Sequence, residues 1–256
     1  MRLAAYAEWT KLRTLASNYW LIAAAITITI GAGAAVTATT HESRGVIQDT
    51  TRLALSGIDL GQGVIAVLAV LAITEEYGNG TIQLSLLATP RRNSMLGAKA
   101  VIISLTTLVT GAVIVAGSLV VARRILPRNG YTPARGYPLL ALDGATTRAA
   151  IGSVLYLTLV ALLSLGIATV IRSTAASVGT VLGLIYLPAL IAQSIGNSTW
   201  QRHLEQLAPT LAGLAIQATT DVHQIPLSPW AGLGVLAAWA ISALLAGGVL
   251  LRLRDA

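Results

Sequence analysis

Six stretches, at residues 19–37, 56–74, 95–122, 149–171, 175–195 and 229–251, are each near the length that crosses a bilayer, and Asp59, Lys99 and Arg172 lie near their ends. A hydrocarbon core about 30 Å thick needs about 20 apolar residues when the chain is helical. Lipid offers the backbone no hydrogen-bonding partner, so a spanning segment must satisfy its own amides, and a helix does so. A charge at a helix centre costs about 2.5 to 3.5 kcal/mol, which is why the charges keep to the ends. The chain is 55% hydrophobic and 11% charged, with a mean hydropathy of +0.73, against about 25% charged in soluble domains. The expectation is an all-α membrane protein with six transmembrane helices in a single transmembrane domain over 1–256. An even number of passes puts both ends of that domain on one side.

The segments between the passes have characters of their own. Over residues 1–17, Ala5, Trp9, Leu12 and Ala16 fall on one helical stripe while Glu8, Lys11 and Arg13 interrupt any apolar run. An interfacial helix retained in the mature protein fits this better than a cleavable leader, with Trp9, Lys11 and Arg13 at the lipid boundary. In the loop 196–228, Trp200, Leu204, Leu207, Leu211 and Leu214 keep a helical spacing that Pro209 breaks. Two short amphipathic helices are expected there, dipping into the outer leaflet or covering a pathway. Ser228, Pro229 and Trp230 then supply a cap, a first helical position and an interfacial anchor for the last pass.

Residues 75–94 form a polar, turn-rich insert between the second and third passes. Glu75 and Glu76 stand at its start, Gly78 and Gly80 mark a turn, Thr81 is placed to cap a short helix to Leu87, and Thr89 with Pro90 starts the next helix at Arg91 and Arg92. Paired acids directly after an apolar run point to a structural or docking role. The two arginines suit phosphate anchoring and partner contact equally.

Several chemistries are excluded or disfavoured. Without cysteine there is no disulfide, thiolate metal site or cysteine nucleophile. His41, His203 and His223 have no ligand spacing, so no metal site is expected. The net charge of +7 comes from residues scattered at the ends of apolar segments, which fits headgroups and not nucleic acid. The only lysines, Lys11 and Lys99, do not follow glycine, so no phosphate-binding Gly-Lys-Ser or Gly-Lys-Thr loop exists and the chain brings no ATP site. Carboxylates deep in the apolar segments, which would couple transport to ions, are not expected either.

The order of short motifs along the whole chain resembles the ABC-2 type permease family, the membrane subunits of ABC exporters, in its actinobacterial form. The resemblance rests on Glu8-Trp9-Thr10-Lys11-Leu12-Arg13-Thr14, on Glu76-Tyr77, Gly80-Thr81-Ile82 and Leu86-Leu87-Ala88-Thr89-Pro90-Arg91-Arg92, on Ile171-Arg172-Ser173-Thr174, on Leu227-Ser228-Pro229-Trp230-Ala231-Gly232, and on the tail Leu251-Arg252-Leu253-Arg254-Asp255-Ala256. It implies a permease subunit paired with a second permease copy, as a homodimer, and with two copies of an ABC ATP-binding subunit. ATP and Mg would sit in that partner and no cofactor in this chain. The residues 75–94 would be the coupling region, with Glu75, Glu76, Tyr77, Gly80, Thr81, Thr89, Pro90, Arg91 and Arg92 as its contacts. The interfacial helix and the Arg172 turn would face the same partner. The charge rule does not fix orientation, because nine basic residues fall on the side of the termini and eight on the other. The resemblance places the protein in the cell membrane with both termini cytoplasmic, and Arg123, Arg124, Arg128, Arg135 and Arg148 external against the positive-inside trend. A six-pass membrane enzyme or scaffold that needs no ATPase is the alternative.

Within the passes, Gly179 and Gly183 form a GxxxG pattern that permits close helix packing, inside one protomer or between two. Thr106, Thr107, Thr110, Tyr156, Tyr186 and Gln193 are polar groups at membrane depth that can line a path, although threonine also bonds back to its own helix. Of these, Thr106, Thr110, Tyr156, Tyr186 and Gln193 are the candidate pathway residues.

Overall fold

The computed structural model describes residues 16–41, 48–78, 92–132, 137, 143–194, 198–220, 222 and 225–253. These residues hold six helices long and apolar enough to cross a membrane, and no strand. In chain order α1 is Ala16–Thr39, α2 Thr50–Leu55, α3 Ile58–Gly78, α4 Arg92–Ile125, α5 Gly144–Ile171, α6 Thr174–Ser194, α7 Ser198–Leu207, α8 Pro209–Leu214 and α9 Pro229–Leu253. The protein is a multi-pass helical membrane protein. All six expected passes are present, and α2 with α3 makes the second as one kinked span, Thr50–Tyr77. The expected interfacial stripe through Trp9, Lys11 and Arg13 lies outside the described residues.

The bundle has two unlike ends. One, called here the Arg172 end, carries the start of α1, the end of α3, the start of α4, the α5–α6 turn and the end of α9. The opposite, Asp49 end carries the remaining connections. Exposed Tyr19 and Trp20 ring the first and exposed Trp200 and Trp230 the second, as aromatic side chains do at membrane interfaces.

Helix α5 is the axis of the bundle. It packs against α3, α4, α6 and α9, and Tyr156, Leu157, Val160, Ala161 and Leu165 on it are fully buried. Lipid tails are as apolar as leucine, so close backbone approach does much of the work that water exclusion does in soluble cores. Gly166 shows this: a Cβ there would lie 2.6 Å from the Ala243 carbonyl carbon of α9. Gly57, at the break between α2 and α3, would set a Cβ 1.9 Å from the Thr29 carbonyl oxygen of α1. The break itself is a turn of Ser56 and Gly57, and α2 is capped by Asp49, whose carboxylate accepts from the Arg52 amide at 3.0 Å. The sequence expectation began this pass at residue 56; the cap carries it back to Thr50.

Helix α4 is 34 residues long, about 51 Å at 1.5 Å per residue, and so overshoots a core of about 30 Å. Arg123 and Arg124 sit exposed in its last turn, where the carbonyl end of a helix favours positive charge. Arg123 and Arg124 thus stand at the Asp49 end of this long helix, and Arg135 lies outside the described residues. Arg148 has a structural task, its Nη2 donating to the Ala218 carbonyl at 2.6 Å.

The expected pair of short helices exists, and Pro209 opens the second of them. They enter the bundle from the Asp49 end. Trp239, ten residues into α9, donates from Nε1 to the Leu207 carbonyl at 3.1 Å, a depth of about 15 Å. Thr210 Oγ1 donates to the Ile185 carbonyl of α6 at 2.9 Å, and a Cβ on Gly213 would touch the Tyr156 ring at 2.7 Å. Pro209–Leu214 is thus re-entrant, with the Thr210 hydroxyl satisfied by α6, the condition for non-spanning backbone at membrane depth, whereas Ser198–Leu207 is largely exposed, Gln201 donating to Glu205 within it.

Candidate functional site

A cavity of about 370 Å³ lies toward the Asp49 end of the bundle. Arg52, Ser56, Asp59 and Gln62 line it from α2 and α3, and Ile185, Tyr186, Ala189 and Gln193 from α6. The re-entrant segment supplies Thr210, Leu211, Leu214 and Gln217. The wall on α2 and α3 is a polar stripe with a simple cause. Asp59 and Gln62, three residues apart, share a face of α3, and the turn at Ser56 and Gly57 carries the chain from Arg52 of α2 into the same wall. From Thr50 to Gln62 the chain descends about 18 Å, roughly half of a bilayer.

The groups in the cavity divide into fixed and free. Gln62, 3% exposed, donates from Nε2 to the Asp59 carbonyl at 3.0 Å and accepts from the Tyr156 hydroxyl. Tyr186 donates from its hydroxyl to the Leu60 carbonyl at 3.3 Å. Arg52 and Asp59 are exposed to the cavity, and no ion pair or side-chain hydrogen bond engages either among the described residues. Gln217 is 3% exposed, and its amide Nε2 is buried without a hydrogen-bond partner among the described residues. A cation, an anion and an unused amide donor therefore share one chamber whose remaining wall is Ile185, Ala189, Leu211 and Leu214.

Beyond Gln62 the same span turns dry. Ile65, Ala66, Leu68, Ala69, Val70 and Ile73 are all buried. At its Arg172 end Glu76 is 7% exposed and pairs with Lys99 of α4, which is 2% exposed, at 2.8 Å. Lys99 Nζ also donates to the Ala72 carbonyl at 3.1 Å. Next to this pair, Arg172 lies over the Tyr77 ring at 5.4 Å and reaches the Leu250 carbonyl with Nη2 at 3.4 Å. Arg172 ends α5 in the left-handed region, with φ at 63°, a conformation that costs a side-chain-bearing residue roughly 1–2 kcal/mol. Its contacts with α3 and α9 hold it there.

The predicted coupling residues thus separate into two groups. α3 runs on through Gly78, so Glu76 and Tyr77 stand in its last turn, where Glu76 pairs with Lys99 and the Tyr77 ring lies under Arg172. Glu75 is half-buried. Gly80, Thr81, Thr89, Pro90 and Arg91 lie outside the described residues, and Arg92 opens α4 as expected. Glu76 and Lys99 keep near the ends of their helices and are drawn in together, and pairing is what makes their burial tolerable.

Among the pathway candidates, Tyr186 and Gln193 line the cavity and Tyr156 stands one layer behind it through Gln62. Thr106 and Thr110 lie on α4, away from it, and Thr106 bonds back to the Ile102 carbonyl at 2.9 Å. The sequence expectation left out Arg52, Asp59, Gln62, Thr210 and Gln217. The i, i+3 spacing of Asp59 and Gln62 was the available signal for those two. Gly179 has nothing within 4 Å of a built Cβ, and Gly183 meets only Leu187 of its own helix. No three histidine or acidic side chains gather to hold a metal among the described residues. Comparison with protein-family models gives no match, and comparison with characterised proteins gives none.

Proposed function

We propose that this protein is the permease subunit of an ATP-driven ABC exporter, working as a homodimer with two separate ATP-binding subunits. The observation that carries the reading is a chamber toward one end of the bundle that Arg52, Asp59 and Gln62 line, beyond which the same span is buried core. A transport subunit needs such a one-sided chamber in each of its two states, and substrate chambers of transporters are built beside interrupted helices near the midplane. The break at Ser56 and Gly57 and the re-entrant segment Pro209–Leu214 provide such interruptions here.

The drive must come from outside this chain, since its sequence has no phosphate-binding loop. Shifting a two-state element from 1:99 to 99:1 takes about 5.5 kcal/mol of differential binding. The residues between α3 and α4 are the natural entry point. The Glu76–Lys99 pair ties together the two helices that flank them, so a push on either moves both. Arg172 on the Tyr77 ring extends the tie to the α5–α6 turn. In this reading the Arg172 end is cytoplasmic and the cavity opens outward. The uncovered face of α6, with Gly179, Leu187 and Leu190, is where a second copy fits.

Purification of the tagged chain from its native membrane tests the reading. A co-purifying P-loop ATPase in equal amount is expected, and replacing Arg91 and Arg92 by glutamate should lower its stimulated ATPase activity with membrane insertion intact. A chain that is fully active alone, with no nucleotide-hydrolysing companion, overturns it.

A further inference from the structure

We infer that the cavity at the Asp49 end binds an amphiphile with a zwitterionic head group, its anionic part held by Arg52 and Gln217, its cationic part by Asp59, and its apolar part along Ile185, Leu211 and Leu214. This names the substrate class of the proposed permease and rests on that reading. Four features of the chamber lead there. Two opposite charges face it from either side of the α2–α3 break, yet they form no ion pair with each other among the described residues. Both side chains are exposed, so each is available to a ligand in the chamber. A ligand that brings both complementary charges completes them, and one that brings a single charge leaves the other exposed.

The third feature is Gln217. An amide donor buried in the wall without a partner costs free energy that a bound acceptor recovers, and it lies in the wall that Arg52 also lines. By contrast Gln62, on the same wall, is already committed on both sides, to the Asp59 carbonyl and the Tyr156 hydroxyl. The free donors are thus guanidinium and amide together, the pair that suits a phosphate or carboxylate, while the free acceptor is the Asp59 carboxylate. Finally, Ile185, Leu211 and Leu214 give the same chamber an apolar wall that suits a hydrocarbon chain.

The test uses the purified chain in nanodiscs of phosphatidylglycerol, with no nucleotide or ATPase present. Four octyl probes of equal tail length are compared by thermal stabilisation: octyl phosphoethanolamine, octyl phosphate, octylamine and octanol. The zwitterion is expected to bind about tenfold more tightly than either singly charged probe, the size of one charge-assisted hydrogen-bonded contact. Arg52→Gln should bring the zwitterion down to the level of octylamine, and Asp59→Asn down to that of octyl phosphate. Both side chains are exposed, so the ligand-free melting temperature should stay unchanged. Equal binding of all four probes, or a ranking that neither variant alters, overturns the inference. Discs of phosphatidylethanolamine separate the two sources of such a head group: competition that weakens the octyl zwitterion points to a membrane lipid, and undiminished binding points to a free amphiphile. A chain that binds the zwitterion but brings down no ATPase would refute the permease reading and leave the site standing.

Discussion

The second pass carries charge at both ends, and the two ends treat it in opposite ways. At the Arg172 end Glu76 meets Lys99 at 2.8 Å in a site closed to solvent, with Lys99 also bonded to the Ala72 carbonyl. At the Asp49 end Arg52 and Asp59 face an open chamber and do not pair. One helix thus holds a matched charge pair that braces the bundle and an unmatched one that faces a void. A matched pair has no further need of a ligand, and an unmatched pair beside a cavity does. This is why function is assigned to the Asp49 end of the span and structure to the other.

The largest expected effect comes from breaking the closed pair. Glu76→Leu or Lys99→Met alone leaves an uncompensated buried charge and should cost about 3–5 kcal/mol, whereas the double variant should recover most of it; denaturation of the purified chain measures both. If the single variants are silent, the two ends do not differ as described. Next comes Gly57→Val, which forces side-chain atoms into the Thr29 carbonyl and should cost about 1–3 kcal/mol by overpacking. Smaller again is Asp49→Ala. Asp49 caps α2 and accepts from the Thr219 hydroxyl at 2.7 Å and the Thr220 amide at 3.1 Å. Its loss should cost about 1–2 kcal/mol and loosen the re-entrant segment to protease.

Arg52→Gln in the open chamber should change stability by less than about 0.5 kcal/mol while abolishing transport, a split between fold and function that Glu76 cannot show. The smallest effect is a pH dependence. Asp143 caps α5, accepting from the Thr146 amide at 2.7 Å, and this hydrogen bonding holds its carboxyl below the usual range. Its contribution is therefore present above the ordinary carboxylate value and fades as pH falls through the lowered one. Melting curves of Asp143→Asn against the parent should converge at acid pH and diverge at neutral pH.

The passes were legible in the sequence because each is a local property: about 20 apolar residues bounded by charges or turns. The start of α9 at Pro229 and the opening of α8 at Pro209 were legible for the same reason, since proline fixes φ and lacks the amide a helix interior needs. The site was not, because it is made by packing. Glu76 reads as a helix-end acid until α4 brings Lys99 against it from 23 positions away. Gln217 reads as a loop residue until the re-entrant segment folds it into the wall. Tyr186 and Gln193 were readable as polar groups within an apolar run, but nothing local distinguishes them from Thr106, which spends its hydroxyl on its own helix.

The natural lack of cysteine allows the contrast to be measured directly, with single cysteines at Ser56 in the open wall and at Ala98 beside Lys99. With a membrane-impermeant maleimide on intact cells, Ser56→Cys should be labelled while Ala98→Cys stays unlabelled until the protein is denatured. Equal labelling of the two, or a silent Ser56→Cys, would contradict the open chamber on which the functional assignment depends.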